Sequence, residues 1–228
     1  MAGTAPKLQF RRMIAAVVFD LDGVLLQSEE VWDSVRERYV RERGGRYDTE
    51  VQCAMMGMSA PEWSAFLAGE AGVPGTPEQI NADVVERMLA AYARELPLVP
   101  GAIETVRRIA GVFPLALASS SNRAIFEEVL ELAGIANSFA ATVSSEEVPR
   151  GKPAPDVYVE AARRLGVEPE HCAAVEDSHS GIRSAHAAAM RVVAIPNASY
   201  PPGTEALALA DVVLDSLDEL TPGRIEGA

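Results

Sequence analysis

The chain has 228 residues, 48% of them hydrophobic, 23% charged and 6% aromatic, with 17 Gly and 15 Pro, a composition of globular proteins rather than disordered or fibrous ones. Its 20 Lys+Arg against 33 Asp+Glu leave a formal net charge of -13, so neither nucleic acid nor an anionic membrane surface is expected as a partner. A small phosphorylated anion stays compatible with such a chain, because a divalent cation or a helix N-terminus can reverse the field locally.

Residues 1–12 read as a short tail. Arg11 and Arg12 followed by the apolar run 13–19 imitate the start of a signal peptide, but the run stops at Asp20 and no small-residue cleavage site follows. No stretch reaches the roughly 18 apolar residues of a membrane span. A cytoplasmic location is the expectation. Cys53 and Cys172, far apart in sequence, read as buried small hydrophobes and not as a disulfide.

The run 14–19 is continuously apolar, the pattern of a strand covered on both faces. Similar short runs recur at 115–118, 139–143, 173–175, 192–195 and 211–213, with helical patterns at 102–110, 124–133, 154–165 and 181–189 between them. Strands alternating with helices predict right-handed crossovers and an α/β, doubly wound parallel sheet. One interval breaks the alternation. From 28 to 96 there is no strand pattern, only helical stretches at 29–43, 61–68 and 77–95 joined by Gly- and Pro-containing turns. That is too long for a single crossover and predicts an inserted helical domain, 28–96, in an α/β core made of 13–27 and 97–228.

In open parallel sheets, ligands bind beyond the carboxyl ends of the strands. The first strand ends in Asp20-Leu21-Asp22-Gly23, two carboxylates one residue apart, whose repulsion a hard cation such as Mg2+ offsets. The plain alternative is a turn with an Asp cap. The strand at 115–118 runs into Ser119-Ser120-Ser121-Asn122 ahead of a helix, which suits either a phosphate oxygen or ordinary N-capping. Lys152 follows Gly151 and precedes Pro153 in a stiff loop, and 173–175 ends in the acidic pair Glu176-Asp177. Singly, these read as a solvated lysine and a helix cap. Four successive strand-end regions with Asp-x-Asp, Ser, Lys and Glu-Asp are hard to attribute to turns alone.

Taken together, these motifs resemble the haloacid dehalogenase-like hydrolase superfamily, in the branch whose helical cap follows the first motif. The resemblance spans residues 14–220 and implies a Rossmann-like core with the cap at the inserted segment. It implies that Asp20 is a nucleophile forming an aspartyl-phosphate and Asp22 the general acid/base. Mg2+ would be held by Asp20, the Asp22 main-chain carbonyl and Asp177, with Glu176 in or just behind that shell. Ser119, with Ser120 beside it, and Lys152 would bind phosphoryl oxygens.

The activity implied is a phosphatase acting on a small phosphorylated metabolite, a sugar phosphate or nucleotide-like monophosphate. The alternative is a phosphosugar mutase of the beta-phosphoglucomutase type. Against it, the positions where that pattern has a cap His and a loop Arg are Trp32 and Ala60, which leaves water as the phosphoryl acceptor. Gln27 stands where the family often has an acidic residue. Dehalogenases proper lack a second Asp in the first motif, unlike this chain. A receiver-like phosphoacceptor domain has no room for the insertion. Substrate selection is assigned to the cap loop, with Gly57, Met58 and Trp63 as candidates, and to Arg123 at a helix start. A monomer or weak dimer is expected.

Overall fold

The computed structural model describes residues 13–55, 58–198 and 200–227; the proposed tail, 1–12, and Gly57 lie outside them. Six parallel strands form one sheet, β1 (Ala16–Phe19), β2 (Leu115–Ser119), β3 (Phe139–Ser144), β4 (Cys172–Glu176), β5 (Arg191–Ala194) and β6 (Val212–Val213), in the order β3-β2-β1-β4-β5-β6. This is the doubly wound order, with the strand sequence reversing beside β1. Every residue of β1, β2 and β4 is buried, which is why these segments carry continuous apolar runs rather than alternating ones. One face packs Ala16, Val18, Ala116 and Ala174 against Val157, Ala161 and Ile182. The other packs Val17, Phe19, Leu117 and Val175 into an apolar cluster that continues into the helical insertion.

That insertion holds α1 (Glu29–Glu42), α2 (Thr49–Ala54), α3 (Ala60–Gly69) and α4 (Pro77–Tyr92). The short α2 has no sequence periodicity to announce it; Asp48 starts it by accepting a hydrogen bond from the Val51 N–H at 3.0 Å. Tyr39, Trp63, Ile80, Met88 and Tyr92 are buried between these helices. The chain enters and leaves the insertion along adjacent paths, with Gln27 N–H donating to Pro97 O at 2.8 Å and Val99 N–H to Leu25 O at 2.9 Å. The core continues with α5 (Ala102–Ala110), α6 (Arg123–Leu132), α7 (Asp156–Leu165), α8 (His179–Ala187), α9 (Thr204–Leu207) and α10 (Pro222–Glu226). Helix α8 begins two residues before its apolar pattern, because Ser178 accepts from the Gly181 N–H at 3.1 Å.

Cys172 is buried as expected, but Cys53 is exposed on α2, a correction to its reading as a core hydrophobe; both are free thiols. Among the described residues, no helix is long and apolar enough to cross a membrane.

Candidate active site

The carboxyl ends of β1, β2 and β4 meet at one point. Asp20 follows the last residue of β1, its N–H donating to Val175 O at 3.0 Å, so that its carboxylate leaves a buried strand with only 6% of the residue exposed. Three residues on, Gly23 adopts a φ of +82° and turns the chain. A Cβ there would lie 1.8 Å from Asp177 Oδ2, so the turn needs glycine for its backbone and for its lack of a side chain. Gly181 is similarly confined, a Cβ falling 1.9 Å from Glu176 Oε1.

The Asp22 carboxylate is held by donors from three segments. Ser28 Oγ reaches Oδ1 at 2.6 Å and the Trp32 indole N–H does so at 3.4 Å. Ser121 Oγ and Ser119 Oγ donate to Oδ2 at 2.7 and 3.3 Å. Ser119, fully buried, also accepts the Ser121 N–H at 2.9 Å. Sequence reasoning placed Ser119 and Ser120 at the phosphoryl group. In the fold, Ser119 Oγ faces Asp22, while Ser120 and Ser121 line the cavity.

Lys152 lies between two carboxylates, its Nζ 2.6 Å from Glu176 Oε1 and 2.8 Å from Asp20 Oδ1. The bond to Glu176 is well aligned; the contact with Asp20 is an ion pair without hydrogen-bond alignment, so Asp20 Oδ1 stays buried with no hydrogen bond. Glu176 is saturated. Its Oε1 also accepts from Tyr158 Oη at 2.6 Å, and its Oε2 from Ser178 Oγ and the Asp177 N–H, both at 3.1 Å. Glu176 therefore orients Lys152 and has little capacity left for another partner.

Burial pushes the Asp20 carboxyl up to about 8, with the charges of Glu176 and Asp22 adding to the rise and Lys152 opposing it. Asp177 is raised well above the usual range by burial first, then by Glu176 and Asp20. Burial alone would lower Lys152, but Asp20 and Glu176 outweigh it and hold the ammonium charged. Ionised together, three carboxylates against one ammonium would leave an excess of negative charge in a dry place, which Asp20 and Asp177 avoid by holding protons when no cation is bound.

Oxygens of Asp20, Glu176 and Asp177 lie within 4.8 Å of one another, and Asp177 Oδ1, like Asp20 Oδ1, is buried without a hydrogen bond. Unsatisfied hard oxygen donors with surplus negative charge fit a magnesium ion. Asp20 and Asp177 are the side chains with oxygens to spare.

Above these groups opens a cavity of about 470 Å³, walled by Asp20, Asp22, Lys152 and Asp177 below and by Trp32, Arg36, Tyr47, Met55, Met58 and Trp63 from the insertion. Met58 and Trp63 line the insertion side of this cavity. Arg123 does not. At the start of α6 its guanidinium turns to Glu127, Glu147 and the Thr142 carbonyl and is not on the cavity wall; its ion pairs with the two glutamates set its direction. The sequence reading missed Ser28, Ser121, Tyr158 and Arg36. Ser121 stood in the serine run it noted, whereas Tyr158 and Arg36 sit on amphipathic helices whose polar groups look like surface until the packing is known.

Acidic residues at the ends of β1 and β4, serines at the end of β2, a buried lysine and helices of the insertion above them make up the site. A family profile described as haloacid dehalogenase-like hydrolase matches residues 14–189, and the chain belongs to that family. It is 33% identical over 223 residues to hexitol phosphatase B of Escherichia coli K12, covering 95% of this chain and 98% of that protein. It is 31% identical over 210 residues to a bifunctional riboflavin kinase/FMN phosphatase of Arabidopsis thaliana, covering 91% of this chain but only 54% of that longer protein. Among solved structures, CbbY of Rhodobacter sphaeroides in complex with phosphate superposes with a TM-score of 0.82 at 27% identity, covering 94% of this chain and 100% of that one.

Proposed function

We propose that the protein is a magnesium-dependent phosphatase of a small phosphorylated metabolite, a sugar phosphate or nucleotide-like monophosphate, working through an aspartyl-phosphate on Asp20. The observation that carries this reading is the buried group of Asp20, Lys152, Glu176 and Asp177 with the hydrogen-bonded Asp22 carboxylate beside it. Hexitol phosphatase B, alike along its whole length, supports the substrate class. A cavity of about 470 Å³ is at the small end of ligand pockets.

The Asp20 carboxylate forms a bond to phosphorus as the bond to the leaving oxygen breaks, and Asp22 in its acid form gives that oxygen a proton. Asp22, now a carboxylate, takes a proton from water, which attacks the same phosphorus and releases Asp20. Ser120 and Lys152 hold phosphoryl oxygens. Asp20, Asp177 and the Asp22 main-chain carbonyl would hold magnesium, which would neutralise charge on the transferring group. The test is phosphate release from a panel of phosphomonoesters with magnesium, p-nitrophenyl phosphate included, alongside beta-glucose 1-phosphate with a bisphosphate activator. Release from at least one ester is expected. Silence across the panel defeats the reading, and isomerisation of the glucose phosphate without release transfers it to the mutase.

The metal requirement predicts a pH effect on stability. In the metal-free protein Asp20 and Asp177 titrate above their unfolded values, so the folded state holds more protons than the unfolded one between about pH 4 and pH 8. Through that window these groups make folding less stable as pH rises. Magnesium at a hundred times its Kd is expected to add about 2.7 kcal/mol at pH 8, raising Tm by about 5–10 °C. Thermal unfolding with magnesium or a chelator at pH 5 and pH 8 reads both effects; an identical Tm with and without magnesium at pH 8 removes the ion from the site.

A further inference from the structure

Lys152 and Arg36 are the two lysine or arginine side chains among the described residues on the cavity wall, and only Lys152 has an ion-pair partner. The Arg36 guanidinium lies 4.5 Å above the Trp32 ring centroid and 4.9 Å above that of Trp63. The two indoles meet edge to face at 6.1 Å. Aromatic faces attract a cation but take none of its N–H bonds. Its Nε is buried with no hydrogen bond, and no carboxylate among the described residues forms a salt bridge with it. Other arginines also lack a carboxylate partner among the described residues, such as Arg38, Arg94 and Arg191, so what distinguishes Arg36 is its place on the wall of this cavity.

The acids near Arg36 are engaged elsewhere. Asp33 Oδ1 accepts from Tyr47 Oη at 2.6 Å, and Asp22 takes four donors. A partly buried cation whose Nε is cut off from water and has no anion is costly, and a ligand anion offsets that cost. Burial holds the Arg36 guanidinium down at about 10 even though Asp22 and Asp33 pull it up. Trp32 links the two ends of the cavity. Its face carries Arg36, while its N–H reaches Asp22 at 3.4 Å, so one indole separates the roof cation from the reactive carboxylates.

We propose that Arg36 is a second anion site at the cap end of the cavity, and that the substrate carries a carboxylate or second phosphate a few carbons from the phosphoryl group that is transferred. This rests on the phosphatase reading and narrows its substrate class. The guanidinium fork matches either anion in two parallel hydrogen bonds, and the tryptophan pair fixes it in place.

The test uses pairs that differ only at the far end: 3-phosphoglycerate against glycerol 3-phosphate for a carboxylate, and fructose 1,6-bisphosphate against fructose 6-phosphate for a phosphate. Wild-type protein is expected to have a higher kcat/KM for the charged member of at least one pair. In Arg36→Met, which keeps the stem packed on the indoles, that preference is expected to fall about tenfold or more, chiefly through KM. Arg36→Lys is expected to restore part of it. A wild-type preference for the neutral member of both pairs overturns the proposal. So does a preference unchanged in Arg36→Met, which would leave Arg36 as a support for the tryptophans. Equilibrium binding of the four compounds to Asp20→Asn with magnesium reads the site without turnover: equal affinity within each pair also overturns it. A wild type that turns over none of them, nor p-nitrophenyl phosphate, counts against the phosphatase reading, while the binding arm still decides on Arg36.

Discussion

Asp20→Asn is expected to lower phosphate release by at least about 10³-fold on every substrate, because an amide cannot make the bond to phosphorus that the carboxylate makes. The substitution is nearly isosteric at a buried strand end, so the fold should persist. Its electrostatic consequence runs opposite to its catalytic one. Asp20 is a buried acid crowded by Glu176 and Asp22, and neutralising it removes a repelling charge while Lys152 keeps its bond to Glu176. Metal-free Asp20→Asn is therefore expected to unfold at a temperature no lower than the wild type at pH 8, with weaker stabilisation by magnesium. Colorimetric phosphate release and thermal unfolding measure the two effects. Activity within about tenfold of wild type would move the nucleophile elsewhere.

The sheet was legible because a strand buried on both faces cannot hide. Val17, Val18 and Phe19 pair with Leu115–Leu117 on one side and Ala173–Val175 on the other, and each of these segments is apolar without a break. Helix α5 shows its pattern at the same residues it occupies, its buried Val106 and Ile109 lying on one stripe. The strand-end residues were legible for the same reason, since a polar residue directly after such a run must emerge at the sheet's carboxyl edge. What escaped depends on packing between elements distant in sequence. Ser28 stands just ahead of α1, and its hydroxyl goes to Asp22 and not to the helix. Tyr158 on α7 is fully buried, and its hydroxyl ends on Glu176. Arg36 lies in a helix whose periodicity cannot tell solvent from a cavity roofed by a second helix. Arg123 shows the converse: it does start α6, and its direction was set by Glu127 and Glu147.

For Asp22→Asn the two chemical steps should separate. An alkyl alcohol leaves only when its oxygen is protonated, whereas p-nitrophenolate leaves without help, so the first step is lost on a sugar phosphate and largely retained on p-nitrophenyl phosphate. The second step needs a base for water on either substrate. The variant is thus expected to release about one equivalent of p-nitrophenol per active site in a burst and then stall with aspartyl-phosphate in place. Steady-state kcat is expected to fall by about 10²–10⁴. The surroundings tolerate the change, because serine hydroxyls rotate: Ser28 and the Trp32 N–H donate to one side of the group, while Ser119 and Ser121 on the other can turn from donor to acceptor toward an amide. Stopped-flow absorbance gives the burst amplitude, and acid quench followed by intact mass gives the phosphorylated fraction. If both substrates slow by the same factor with no burst, Asp22 acts only by holding the loop, and the proton carrier must be sought among the other groups on the cavity wall.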